Sequence, residues 1–125
     1  MSMSREHRDQ VARRAYAALG ASPSEELTLQ VVCGRSHRLA SVYSTGDGVV
    51  YRSVVRSKSH GDRDRYDSGH HGASLGVEWF ELLDAGVGPD VDDGLPAGCE
   101  CGPYTLSRTD LMNDLAHHRR KVIVD

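Results

Sequence analysis

Cys99-Glu100-Cys101-Gly102, read together with Cys33-Gly34-Arg35-Ser36-His37, decides how this chain is organised. The two segments hold all three cysteines of the 125 residues, and the upstream one carries a histidine four positions after its cysteine. Three thiolates and one imidazole form the donor set of a closed, tetrahedral structural zinc site. Zinc takes deprotonated, soft or borderline ligands held by rigid turns. Cys33-x3-His37 puts both side chains on one side of a turn. Cys99-x-Cys101 is tighter than the usual two-residue gap, and the flanking Gly98 and Gly102 permit the backbone angles that so short a knuckle requires. Four protein ligands leave no open coordination position, so a zinc ion here is structural rather than catalytic. The competing reading makes Cys33 a small buried hydrophobe and His37 a surface residue. A variant of the zinc reading replaces His37 with His117 or His118.

The rest of the composition says why such a site would matter. At 125 residues the chain is one domain's length, yet Trp79 and Phe80 are its only large apolar aromatics and 13 residues are glycine. A chain with so little bulk to bury gains from a cross-link. An odd number of cysteines and no leader-like apolar run point to a reducing compartment, with metal or free thiols instead of disulfides. The expected location is cytoplasmic. No apolar stretch approaches membrane-spanning length. The net charge is −3 but unevenly spread. Six arginines and Lys58 face three aspartates between Arg35 and Tyr66, while ten acids face Arg108 alone between Asp67 and Asp114.

Local patterns give the elements. Arg5 to Leu19 reads as a helix, with Val11, Ala12, Ala15, Tyr16 and Leu19 on one side and Gly20 as its stop. Its stripe is mostly alanine, so it is expected to lie loosely on the domain or on a partner. Residues 1–27 are this helix and a linker, and 28–125 form the main domain. Thr28–Cys33, Leu39–Ser44 and Val49–Arg56 read as strands, the last two joined at Thr45-Gly46-Asp47-Gly48. Residues 57–73 are too polar to pack and read as a loop. Leu75–Leu83 reads as a short helix or an irregular packed segment, and Gly86–Gly98 as a second loop. Tyr104-Thr105-Leu106 is a short strand. Ser107 caps a helix with Leu111, Met112 and Leu115 on its inner face, and Val122-Ile123-Val124 closes the sheet.

Val31 to Ala40, Cys99 to Gly102, and Ser107-Arg108 leading to Arg119-Arg120-Lys121-Val122-Ile123-Val124 resemble small zinc-ribbon-like proteins of actinobacteria and their phages. The resemblance covers roughly residues 28–56 and 98–124. It implies a small zinc-ribbon-like antiparallel sheet with a C-terminal helix followed by a short strand; with the N-terminal helix read from its own pattern, the expected fold is α+β. The resemblance also implies one Zn2+ held by Cys33, His37, Cys99 and Cys101, and no reaction. The expected function is that of a non-enzymatic, zinc-stabilised binding module, an adaptor, modulator or accessory component of a bacterial or phage machine, with a protein partner and no small-molecule substrate. Two alternatives stand beside it. Arg35, Arg38, Arg52 and Arg56 on one face would contact nucleic-acid phosphates. His60, His70 and His71 amid aspartates would make a metal-dependent hydrolase, although no fixed metal spacing, nucleophile elbow or phosphate loop is present.

Overall fold

The computed structural model describes residues 4–20, 27–56, 76–85, 91–99 and 101–124, the side chains of Val55 and Arg56 excepted. The polar stretch 57–73, including His60, His70 and His71, lies outside the described residues.

Helix α1, Arg5–Ala17, starts at Ser4, whose Oγ accepts the His7 N–H at 3.1 Å. It stops before Gly20, which sits at φ +71°. Strands β1 (Leu27–Cys33), β2 (Arg38–Thr45), β3 (Gly48–Arg56) and β4 (Gly76–Leu82) follow as an antiparallel meander. A single 3-10 turn, Leu83–Ala85, ends β4. Strands β5 (Gly94–Cys99) and β6 (Gly102–Ser107) form a separate antiparallel hairpin, and helix α2 (Arg108–Ala116) leads to β7 (Lys121–Val124). The order of the main sheet is β4-β3-β2-β1-β7. The fold is α+β, two helices flanking a small sheet, with Cys and His side chains gathered as in a zinc ribbon.

Three details differ from the sequence reading. Within the segment expected as a short helix or irregular stretch at Leu75–Leu83, Gly76–Leu82 is instead a strand paired along its length with β3. Its adjacent aromatics hid the alternation, because opposite faces of β4 are both covered. Phe80 belongs to the cluster under α1, and Trp79 packs edge-on to Tyr51 at 5.9 Å. Gly86–Gly98 is not loop throughout, since Gly94–Cys99 is β5 despite Pro96. Proline is tolerated on a strand with an unpaired edge, and β5 pairs with β6 alone. Finally, the sheet is mixed: β7 closes it by running parallel to β1, Val122 opposite Val31 and Val124 opposite Cys33.

Register sorts the core into two clusters. Tyr43 lies opposite Val50, and Val50 opposite Leu82; with Phe80 these pack against Ala12 and Ala15 of α1. Leu29 lies opposite Val42, and Val42 opposite Tyr51. That side carries Leu95, Ala97, Leu106 and Leu111 from the hairpin and α2. The Tyr51 hydroxyl and Ser53 Oγ both donate to the Pro96 carbonyl, at 2.8 and 2.7 Å, latching the hairpin onto β3.

The α1 helix is not loosely laid. Two buried alanines contribute only about 1 kcal/mol each, but Tyr16 adds ring contacts to Tyr43 and Phe80 at 5.2 and 5.5 Å. Arg8, buried on the same helix, reaches Glu81.

Candidate metal centre

Each half of the centre is the tip of a hairpin. In the first, β1 ends at Cys33 and β2 begins at Arg38. Leu39 is an extra residue in the register, Val31 facing Ala40 while Val32 faces Arg38, and this bulge bends β2 toward the turn. Ser36 takes a left-handed φ of 70°. Its N–H donates to the Cys33 carbonyl at 2.8 Å, and the Cys33 N–H donates to the His37 carbonyl at 2.9 Å. The closed turn holds His37 Nδ1 at 3.6 Å from Cys33 Sγ. In the second hairpin, Gly102 at φ +129° turns the chain directly after Cys101. Cys101 Sγ then lies 3.5 Å from the same His37 nitrogen, across 64 residues of chain.

Both turns aim an amide at a sulfur. The Arg35 N–H donates to Cys33 Sγ at 3.3 Å, and the Cys101 N–H donates to Cys99 Sγ at 3.3 Å. Amide donors two residues beyond the cysteine stabilise a thiolate. Burial alone would push the Cys33 thiol up. The Arg35 amide, the His37 amide-side contact and the neighbouring thiols overcome that effect and bring it down to about 7. Cys101 moves the other way, raised by desolvation and by the Cys99 and Cys33 sulfurs beside it. Three thiols this close share negative charge poorly, and a cation at their centre removes the conflict.

The donor atoms of Cys33, His37, Cys99 and Cys101 all lie within 4.8 Å of one another. A tetrahedral ion with bonds of about 2.3 Å to sulfur and about 2.0–2.1 Å to nitrogen has S···N edges of about 3.6 Å and S···S edges of about 3.8 Å. The observed S···N separations of 3.6 and 3.5 Å match those edges. Cys33 and Cys99 are buried, His37 is half-buried and Cys101 exposed, so the centre sits at the surface end of the sheet-to-hairpin seam. The residues fit a metal ion. The three cysteines form no disulfide.

The other residues singled out in the sequence are placed elsewhere. His117, at the end of α2, has Nδ1 2.8 Å from the Asn113 carbonyl, and His118 lines a cavity with Leu27, at the start of β1, whereas Cys33 is its last residue. Neither replaces His37. Arg35 and Arg38 are exposed on the first knuckle. Arg52 is drawn off to the α1 side, ion-paired with Glu78 and stacked 5.2 Å over the Tyr16 ring. The Arg56 side chain lies outside those described. Arg38 and Arg52 nevertheless line one cavity with His37, Ser41 and Cys99.

The sequence reading missed a second buried polar cluster. Glu81 on β4, Arg8 on α1 and Arg108 at the start of α2 are each no more than 2% exposed. Arg8 Nε donates to Glu81 Oε1 at 2.8 Å and Arg108 Nη2 to Oε2 at 3.0 Å. Arg108 Nη1 also donates to the Leu82 and Leu83 carbonyls, and its Nε to Asp92. Burial would raise the Glu81 carboxyl, but Arg8, the Leu82 amide and Arg5 hold it below the usual glutamate range. A faint signal was available: Glu81 stands between Phe80 and Leu82 in a run otherwise rich in core residues.

No protein-family model, curated protein or solved structure matches the chain.

Proposed function

We propose that this protein is a zinc-stabilised, non-catalytic binding module. The observation that carries the reading is the meeting of four donor atoms, from two hairpin tips, within the span of one tetrahedral ion. Three thiolates and an imidazole favour zinc among abundant divalent ions, because hard cations such as magnesium and calcium prefer oxygen. With all four positions supplied by the protein, the ion has no place for water or substrate and serves the fold. Three thiols outside any disulfide suit a reducing compartment, which supports the cytoplasm. Among the described residues no helix is long and apolar enough to cross a membrane.

The role proposed for the module is that of an adaptor, modulator or accessory component of a larger bacterial or phage assembly. A hydrophobic protein partner draws little support: the exposed large apolar side chains described are Val77 and Ile123, on the two opposite edge strands of the main sheet. The histidines of the hydrolase alternative, His60, His70 and His71, lie outside the described residues.

Elemental analysis of the purified chain should find one zinc per molecule, and cobalt substitution should give the visible absorption of a tetrahedral thiolate site. Cys33→Ser and Cys101→Ser should each lose both signals. A chain with well under one equivalent of metal, and a melting curve indifferent to chelator, would sink the proposal.

A further inference from the structure

The metal centre occupies one end of β1; a group of cations occupies the other. His117, His118, Arg119, Arg120 and Lys121 are all exposed. They issue from a rigid turn. His118 takes φ 59°, its N–H donates to the Leu115 carbonyl and the Arg119 N–H to the Asp114 carbonyl, both at 3.0 Å. These bonds satisfy the Asp114 and Leu115 carbonyls near the end of α2. The Arg120 carbonyl accepts the Gln30 N–H at 2.9 Å, which fixes the turn to β1. Beside it is a cavity of about 300 Å3 lined by Leu27, Leu115, Thr28, Ser44, His118, Arg119 and Arg120. Thr28 Oγ1 and Ser44 Oγ lie 3.0 Å apart at its wall.

These cations differ from those that hold the fold. Arg8, Arg13, Arg52 and Arg108 are ion-paired at 3.0 Å or closer, and Arg119 pairs with Asp114 at 2.6 Å. Arg120 and Lys121 make no ion pair with a described residue. Both stand next to two histidines and a hydroxyl-walled cavity.

We infer that the His117–Lys121 turn and its cavity bind the phosphate backbone of a nucleic-acid duplex. Guanidinium forks and hydroxyls are the donors that phosphate oxygens accept. B-DNA carries one charge per about 1.7 Å of axis, so a patch of neighbouring cations meets several charges at once. A duplex is favoured over a single strand because the cavity lining contains no phenylalanine, tyrosine or tryptophan on which bases could stack. Recognition is through the backbone and independent of sequence. The surface is not the knuckle that Arg35 and Arg38 occupy.

The test uses the zinc-loaded chain and a fluorescein-labelled duplex of mixed sequence, with anisotropy read across a potassium chloride series. About three phosphates neutralised give a log–log slope near −2.7, so raising salt from 50 to 200 mM weakens binding about 40-fold. Arg120→Glu with Lys121→Glu should reduce affinity at 50 mM salt at least tenfold. Arg120→Gln with Lys121→Gln, which retains the backbone pairing of β7 with fewer risks to folding, should flatten the slope by about two. Arg35→Glu with Arg38→Glu should leave both quantities near those of the parent chain. The assignment is overturned by absence of duplex binding at 50 mM salt, by loss confined to the Arg35/Arg38 variant, or by binding to phosphatidylserine vesicles or poly-glutamate in place of duplex. Metal content, measured on every variant, separates failure here from failure of the zinc reading, because Arg120 and Lys121 supply no ligand.

Discussion

The metal centre and the Arg8–Glu81–Arg108 cluster both bind together distant parts of the chain, with opposite chemistry. At the first, three sulfurs that would repel one another once ionised, and one imidazole, converge on a point that calls for a cation. At the second, one carboxylate already has two guanidiniums at 2.8 and 3.0 Å, and three backbone carbonyls take the surplus donors of Arg108. The first is complete only with something added; the second already has both carboxylate oxygens bonded, with Arg5 Nη1, 3.9 Å from Oε1, left without a hydrogen-bond partner among the described residues. Their placing follows the same logic. The charged cluster pins α1 and α2 to edge strand β4, and the thiol cluster pins the β5–β6 hairpin to the tip of β1 and β2.

Removing the metal is the heaviest blow. Apparent binding energies of structural zinc are about 10–16 kcal/mol in small modules, against a total stability of about 5–15 kcal/mol for a typical domain. A melt in excess chelator, followed by circular dichroism, should lose its cooperative transition; retention of a sharp transition would show that the hydrophobic clusters suffice. Glu81→Ala comes next. Stranding two buried guanidiniums should cost about 3–5 kcal/mol, visible as a lower urea midpoint without loss of zinc. Replacing all three members together, Arg8→Met, Glu81→Leu and Arg108→Met, should recover most of that loss, because the desolvation of three charges is removed with their attraction.

The third test separates the clusters by pH. The folded-state carboxyl of Glu81 is held below its unfolded value, about 4.3. Its contribution is therefore full above that value and disappears as pH falls through the lower, folded one. Acid titration of stability should be steeper in the parent than in Glu81→Gln over that window. Equal slopes would mean that other carboxylates govern the acid limb. The smallest effect is expected at the α2 cap. Ser107 Oγ accepts the Asp110 N–H at 3.1 Å and donates to Asp93 at 2.7 Å, so Ser107→Ala should cost about 1 kcal/mol. A loss several times larger would place Asp93 in the charged cluster's support.

How much of this could be read from the residues alone follows from how common each residue type is. Cysteine occurs three times and only beside turn-forming glycines, so the four ligands stood out before any coordinates. The strands around the first knuckle were legible from their β-branched residues, and Ser107 from its position before a helical apolar pattern. Glu81, Arg8 and Arg108 were not, because one glutamate and two arginines look the same whether they face water or each other. Pairing across 73 and 27 residues leaves no local periodicity. The β4 strand failed for a related reason: with cover on both faces, alternation vanishes and length is the only clue. β5 was obscured by Gly94, Pro96 and Gly98, residues that ordinarily mark loops. The direction of β7 was open as well, since Val122-Ile123-Val124 fits a parallel or an antiparallel neighbour equally.

The order in which the ligands leave the ribosome has a consequence of its own. Cys33 and His37 emerge early with β1 and β2, but a two-donor turn holds an ion weakly, and the other two sulfurs follow only after residue 101 has been made. The outer edge of β1 stays open longer still, until residues 121–124 arrive to cover it. Synthesis thus passes through an interval in which a half-built sheet displays an unpaired edge and bare thiols; the four-donor set is completed first, and only β7 then covers the edge.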